Sequence, residues 1–349
     1  MKPIMQSISR RAFVRGASLT GALALGGVTS SRAETVSGPL KVCVFSDLHF
    51  CPGVWTNGDS SFLEKIIARA RGAGCDMMIH LGDLLHGVRT AEEKRLLSLY
   101  SGCGIPAFHV LGNHDQDHNP WKETSAAFGL KSGYYSFDRG GFRFVILDPN
   151  YIRTADGKFI HFENGNVYHL PKGATISWVP PEQVEWLRAT VVGSPLPCIV
   201  LSHQSMEKCS SCGAVPNAEE IRGILNEANA RKPGTVRVVM NGHDHLDFLR
   251  ILDGILYWDV NSANYQYYSK PHALYPASYV KTHAKAGNCI AWDEPLSAIL
   301  TLWPDGRVRI EGSKAGWLFG VSPATAGYAE AYGGRLVTPV IQSAELRIM

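Results

Sequence analysis

Five short apolar runs, spread from Leu40 to His245, each end in side chains able to bind a metal ion. They reach Asp47 and His49, then Asp83, then Asn113 beside His114, then His203, and last His243 and His245. The runs are rich in β-branched and aromatic residues and are followed by turn residues, so they read as buried strands. Side chains this far apart in sequence meet only if the fold brings several strand ends to one rim. Open α/β sheets do this, because the loops after the carboxyl ends of their strands share a crevice.

The intervening segments agree. Leu40 to Ser46 and Asp76 to Gly82 are strand-like, and between them Phe62, Ile66, Ile67 and Ala70 carry helical spacing up to Arg71. Thr90 with Glu93 forms a capping box that opens a helix through Tyr100, and Pro106 to Leu111 is the next strand. This alternation predicts βαβ units and a largely parallel sheet in the N-terminal half. Tyr134 to Phe137 and Phe142 to Leu147 flank Asp138-Arg139-Gly140-Gly141 and predict a hairpin. Asp148 to Val179 reads as a polar, ordered insertion. A helix opens at Pro181, strands follow at Pro197 to Ser202, Thr235 to Asn241 and Ile255 to Val260, and a helix lies near Ala218 to Asn229. Asn261 to Asn288 has no clear period, and Ala298 to Trp303 with Arg307 to Glu311 predicts a second hairpin. No repeat or linker divides residues 34–349, which are read as one domain.

With 349 residues, 45% hydrophobic and 19% charged, the chain has a globular composition. Its net charge of +3 has a local source: residues 1–33 hold Lys2, Arg10, Arg11, Arg15 and Arg32 and no acid. Ser9-Arg10-Arg11-Ala12-Phe13-Val14-Arg15 resembles a twin-arginine export signal. An apolar stretch, Ala17 to Val28, and small residues before Glu34 suit cleavage there. The expected partner is the twin-arginine export machinery, and the expected location is the periplasm or the medium. The apolar stretch is too short to span a bilayer, and removing the leader takes the charge from +3 to −2. That balance, with no dense basic run, argues against nucleic acid as a partner. Of the eight cysteines, Cys43 and Cys198 read as buried hydrophobes, and Cys209 with Cys212 as a local disulfide or two thiols, the disulfide being favoured.

Carboxylate, imidazole and amide ligands suit first-row ions such as Mn, Fe, Zn or Ni. Two such ions about 3.5–4 Å apart can clamp a phosphoryl oxygen and activate a water, and one carboxylate must bridge them. Asp83 is the natural bridge. Asp47-Leu48-His49, Gly82-Asp83, Gly112-Asn113-His114-Asp115, His203 and Gly242-His243-Asp244-His245 resemble the ordered motifs of calcineurin-like metallophosphoesterases, a group that includes purple acid phosphatases and cyclic-nucleotide phosphodiesterases. The resemblance covers roughly residues 40–250. It implies a four-layer α/β/β/α sandwich of two mixed sheets flanked by helices, with the metals at the strands' carboxyl ends. It further implies that Asp47, His49, Asp83 and His245 hold one metal and Asp83, Asn113, His203 and His243 the other. His114, with Asn113 beside it, would face the substrate, His114 either protonating the leaving oxygen or stabilising the phosphoryl charge, with Asp115 orienting it.

The implied reaction is attack of a metal-bridging hydroxide on a phosphodiester or phosphomonoester of a small molecule. His86 stands where purple acid phosphatases carry an iron-binding tyrosine, which moves the reading towards the phosphodiesterase-like branch. His86 would contact substrate, hydrogen-bond a ligand or face solvent. His80, His109, His118, His161, His169, His272 and His283 are read as structural. Phe50 to Ser60 with Trp55, the insertion with Tyr151 and Tyr168, and the Tyr-rich stretch after Val260 are the segments that could wall a substrate site. The competing readings are a nuclease and a scaffold of this fold without activity; the intact ligand set weighs against the latter.

Overall fold

Strand Leu40–Phe45 is apolar apart from the half-buried Lys41 because both its faces are buried: Leu40, Val42 and Val44 point one way, Cys43 and Phe45 the other. The computed structural model describes residues 38–55, 60–207, 214–268, 270–332 and 334–348. The leader read at residues 1–33 and the Cys209/Cys212 pair lie outside the described residues. Two six-stranded mixed sheets carry the fold. In the first, Ala344–Arg347, Arg307–Glu311, Ala298–Leu302, Leu40–Phe45, Met77–His80 and Ala107–His109 lie side by side, the last three parallel. In the second the order is Phe248–Leu252, Ile255–Asp259, Val236–Asn241, Cys198–Leu201, Phe142–Ile146 and Tyr135–Arg139, with the four central strands parallel.

The two sheets pack face to face over one core. Val42, Val44, Met77 and Ile79 of the first meet Phe144, Ile199, Leu201, Val238, Met240 and Trp258 of the second. Helices Ser61–Gly72 and Ala91–Ser101 cover the outer face of the first sheet through Leu63, Ile66, Leu96 and Tyr100. Pro181–Val191 and Ala218–Arg231 cover the second through Leu187, Ile221 and Leu225. This is the expected α/β/β/α layering. Cys43 and Cys198 are buried, and the Thr90 capping box is present. Gly140 and Gly141 both have positive φ, as the two-residue hairpin turn between Arg139 and Phe142 requires.

Periodicity missed the short or edge strands. Phe248–Leu252 and Ala344–Arg347 sit at sheet edges, and Tyr265–Tyr267, inside the segment without a clear period, pairs with Cys289–Ala291 just past its end. Helix Trp121–Ala127 was also not legible, since it buries only Thr124. The insertion holds a small hairpin, Tyr151–Arg153 with Phe159–His161. The loop after Ile255–Asp259 crosses to the other sheet, where Ala263 donates to the Ser46 carbonyl at 2.8 Å. All parallel strands therefore end at one rim.

The insertion is tied down by His161, whose Nε2 lies 2.8 Å from Asp148 Oδ2 and whose Nδ1 lies 2.8 Å from the Phe162 carbonyl. Both nitrogens face acceptors, which suits a doubly protonated ring. Burial opposes that charge, but Asp148 outweighs it and holds the pKa above the usual histidine range. The pair's stabilisation is thus complete below about pH 6.5 and is lost as pH rises through the raised value. His161→Gln should cost roughly 1–2 kcal/mol at acid pH and less in mild alkali, read by chemical denaturation at both. An equal deficit at the two pH values would exclude an ionised pair.

Candidate metal centre

Asp47, His49, Asp83, His243 and His245 all adopt positive φ, between 50° and 72°. Left-handed backbone costs an L-residue on the order of 1–2 kcal/mol, and its clustering in one place marks strain held for a purpose. The turns are pinned from outside: Asp47 N donates to the Gly82 carbonyl at 3.0 Å, His49 N to that of Asp83 at 2.9 Å, and Gly242 N to that of His203 at 3.1 Å. Two glycines let the loops close. A Cβ on Gly112 would sit 2.0 Å from Asp83 Oδ1, and one on Gly242 would sit 1.8 Å from Ser46 Oγ and 2.5 Å from Asp47 Oδ2.

The turns bring the distant side chains into two adjoining clusters, Asp47/His49/His245 and Asp83/His203/His243. In the first, His245 Nε2 is 3.2 Å and His49 Nε2 is 3.6 Å from Asp47 Oδ1. In the second, His203 Nε2 is 3.1 Å from Asp83 Oδ2 and 3.2 Å from His243 Nδ1. Asp83 Oδ2 also lies 3.7 Å from His49 Nε2, so this carboxylate stands between the clusters. Asn113 follows Gly112 at the same rim, beside His114, whose N–H donates to Asp83 Oδ1 at 2.8 Å.

The second nitrogens show what the centre is built for. His245 Nδ1 faces the Tyr265 carbonyl at 2.6 Å, and His203 Nδ1 faces that of Leu81 at 2.8 Å. Each Nδ1 therefore donates, so on a neutral ring each Nε2 would present a lone pair to a carboxylate. Acceptors facing acceptors repel unless a proton or cation lies between them. Burial would lower the His203 pKa, but Asp83 and Asp47 outweigh it and push it up to about 10. His49 and His243 are instead driven down to about 3, chiefly by burial. Asp47 Oδ1 and Asn113 Oδ1 are buried with no hydrogen-bond partner among the described residues. Orphaned oxygens and convergent nitrogens fit cations, which Asp47, His49 and His245 in one cluster and Asp83, His203 and His243 in the other could hold, with Asp83 and Asn113 beside them.

His114 sits at the open side of the centre, its side chain 21% exposed. Its expected partner was Asp115, and here the structure differs. The Asp115 carboxylate accepts from Leu85 N and Gly112 N, both at 2.9 Å, and staples the two loops together. Asp117 holds His114 instead, with Oδ2 2.6 Å from Nδ1. The cause is local geometry: His114–Gln116 is a 3₁₀ turn, in which positions three apart eclipse and the next residue points away. His86 is buried and does not face solvent; its Nε2 lies 3.0 Å from His49 Nδ1 and its Nδ1 3.4 Å from Asp117 Oδ2. Its contact is thus with His49, an expected metal ligand.

Tyr168 comes from the insertion, with its hydroxyl 2.8 Å from Asp117 Oδ1 and 3.1 Å from His114 Nδ1. Trp55 stacks on His86, and Tyr267 lies against His49, His114 and His245. Tyr151 packs on His161, away from these groups. Asp117 and Tyr267 were not singled out in the sequence; the His114-x-x-Asp117 spacing was the available signal. His80 and His109 pair with each other in the core at 2.8 Å.

A buried donor set of this kind at the rim of a two-sheet sandwich defines a metal-dependent phosphoesterase. The chain belongs to the calcineurin-like phosphoesterase family, whose model matches residues 40–247. A probable cyclic nucleotide phosphodiesterase of Psychrobacter arcticus is 21% identical over 262 residues, covering 68% of this chain and 85% of that protein. A probable inactive purple acid phosphatase 14 of Arabidopsis thaliana is 23% identical over 304 residues, covering 67% and 72%. The crystal structure of a dimetal phosphatase from Danio rerio shares the fold, with a TM-score of 0.54 at 15% identity over 78% of this chain and 95% of that one.

The close approach at Gly242 yields a direct test. Gly242→Ala should keep its far-UV circular dichroism but bind Mn about tenfold or more weakly, as measured by elemental analysis after dialysis. Unchanged metal content would mean that the loop can give way without disturbing Asp47.

Proposed function

We propose that the protein is an exported two-metal hydrolase of small phosphodiesters. The observation that carries the reading is the double cluster of convergent acceptors with Asp47 Oδ1 and Asn113 Oδ1 left unpartnered, next to a histidine held by its own carboxylate. When bound, the ions would polarise the phosphoryl oxygens and activate the attacking water between them. His114 supplies the remaining chemistry. Asp117 occupies Nδ1, so Nε2 is the nitrogen able to hand a proton to the departing oxygen. Burial would lower the His114 pKa, but the Asp83 charge and the Asp117 pairing outweigh it and favour the protonated ring.

A diester is favoured over a monoester by two features. His86 lies paired beneath Trp55, leaving no tyrosine ligand at that place, and the aromatic rings of Tyr168 and Tyr267 lie beside His114, where they can pack an organic substituent. The name of the Psychrobacter arcticus relative points the same way. With Mn added, bis-nitrophenyl phosphate should be cleaved faster than mono-nitrophenyl phosphate. His114→Ala should lose about 10²-fold or more on esters with poor leaving groups. Metal-loaded protein that hydrolyses neither ester would overturn the reading.

Export rests on Arg10-Arg11 and the small residues before Glu34. Wild type should appear in the periplasmic fraction with a mature mass beginning at Glu34, and the Arg10→Lys, Arg11→Lys double variant should remain cytoplasmic and uncleaved. Full-length wild type confined to the cytoplasm would refute this.

A further inference from the structure

Four side chains outside the direct ligand set form a proton-consistent chain. His49 offers Nε2 to Asp47 and Asp83, and its Nδ1 lies 3.0 Å from His86 Nε2. His86 Nδ1 is 3.4 Å from Asp117 Oδ2, and the same oxygen lies 2.6 Å from His114 Nδ1. The Tyr168 hydroxyl reaches the other oxygen, Oδ1, at 2.8 Å. With the His49 and His86 imidazoles both neutral, one assignment of protons satisfies every link. Asp117 is ionised and can only accept, so His114 Nδ1 and the Tyr168 hydroxyl donate to it, and His86 Nδ1 turns its N–H towards it across 3.4 Å. His86 Nε2 is then a lone pair and must accept from His49 Nδ1. That leaves His49 Nε2 a lone pair, 3.0 Å from His245 Nε2 and on the side of Asp47 and Asp83.

We propose that Asp117 is a positioning residue with two outputs: through His86 it fixes the tautomer of His49 towards the metal, and directly it orients His114 towards the leaving oxygen. The first output acts over two imidazoles, a longer reach than the usual single carboxylate-to-histidine contact behind a metal ligand. Trp55, stacked on His86 at 5.7 Å with 25° between the rings, keeps the relay in register. Tyr168 is 57% exposed and is the one member brought by the insertion. It therefore closes the chain from the solvent side, and it makes the insertion part of the catalytic machinery as well as a wall.

The inference rests on the hydrolase reading for its leaving-group half, while its metal half stands alone. His86→Phe keeps a ring under Trp55 but removes the acceptor for His49. It should weaken Mn binding by about 10-fold or more in calorimetric titration, and it should leave the dependence of rate on leaving-group acidity unchanged across a series of methyl aryl phosphates. Asp117→Asn should do both: weaken Mn, and make the rate fall more steeply as the leaving group becomes poorer, as His114→Ala does. Tyr168→Phe, at a half-open position that tolerates the change, should steepen the same dependence with Mn affinity intact, and Asp117→Glu should recover part of what Asp117→Asn loses. An Asp117→Asn protein with wild-type Mn affinity, or one slowed equally on all esters, would overturn the proposal. Wild type that binds Mn yet cleaves no ester would instead overturn the hydrolase reading, and the Mn affinities would still decide the relay.

Discussion

The structure depends on a repulsion. Asp47 and Asp83 stand within 3.2 Å of imidazole nitrogens whose opposite sides are committed to backbone carbonyls, so these groups repel in a buried space unless a proton, as at His203, or a metal cation lies between them. Such a centre is destabilising to the bare chain, because buried acceptors without donors forfeit their hydration. Two cations would convert the repulsion into coordination. The left-handed turns at Asp47, His49, Asp83, His243 and His245 and the bare glycines beside Asp83 and Asp47 all serve to keep these groups close. The remainder of the sandwich is what allows that much strain to persist: both faces of each central strand are packed, and the turns between have no room to relax.

The family and the donor set leave the choice of substrate to what surrounds them. Here the surroundings come from three separate segments. Trp55 follows the first ligand turn, Tyr168 arrives with the insertion, and Tyr267 lies on a small two-stranded sheet beyond the last ligand. Each touches a histidine of the centre, so substrate contacts and metal geometry are not independent in this protein.

Much of this was legible in the sequence. The ligand positions could be read because each follows a buried strand, and a strand buried on both sides is a continuous apolar run that stands out from its flanks. The layering followed from strands alternating with helices. The edge strands were missed because Phe248–Leu252 and Ala344–Arg347 are only partly buried and carry no such signal. The partner of His114 was misassigned for a subtler reason: adjacency in sequence suggested Asp115, whereas a single 3₁₀ turn carries that carboxylate to the opposite side and brings Asp117 round. Tyr168 and Tyr267 were visible as members of aromatic-rich segments, but which tyrosines reach the centre depends on how the insertion folds back, and no local pattern encodes that.

The division of the donor set between the sheets has a consequence for how the molecule is made. Asp47, His49, Asp83 and Asn113 follow strands of the first sheet, and His203, His243 and His245 follow strands of the second. Neither sheet could hold either ion alone, since each donor group draws on both. During synthesis the first sheet's donors leave the ribosome long before His245, and they do so without partners. Full coordination must therefore wait until the second sheet has formed and docked, so a complete metal site would be a chemical report that the two halves of the sandwich have found each other.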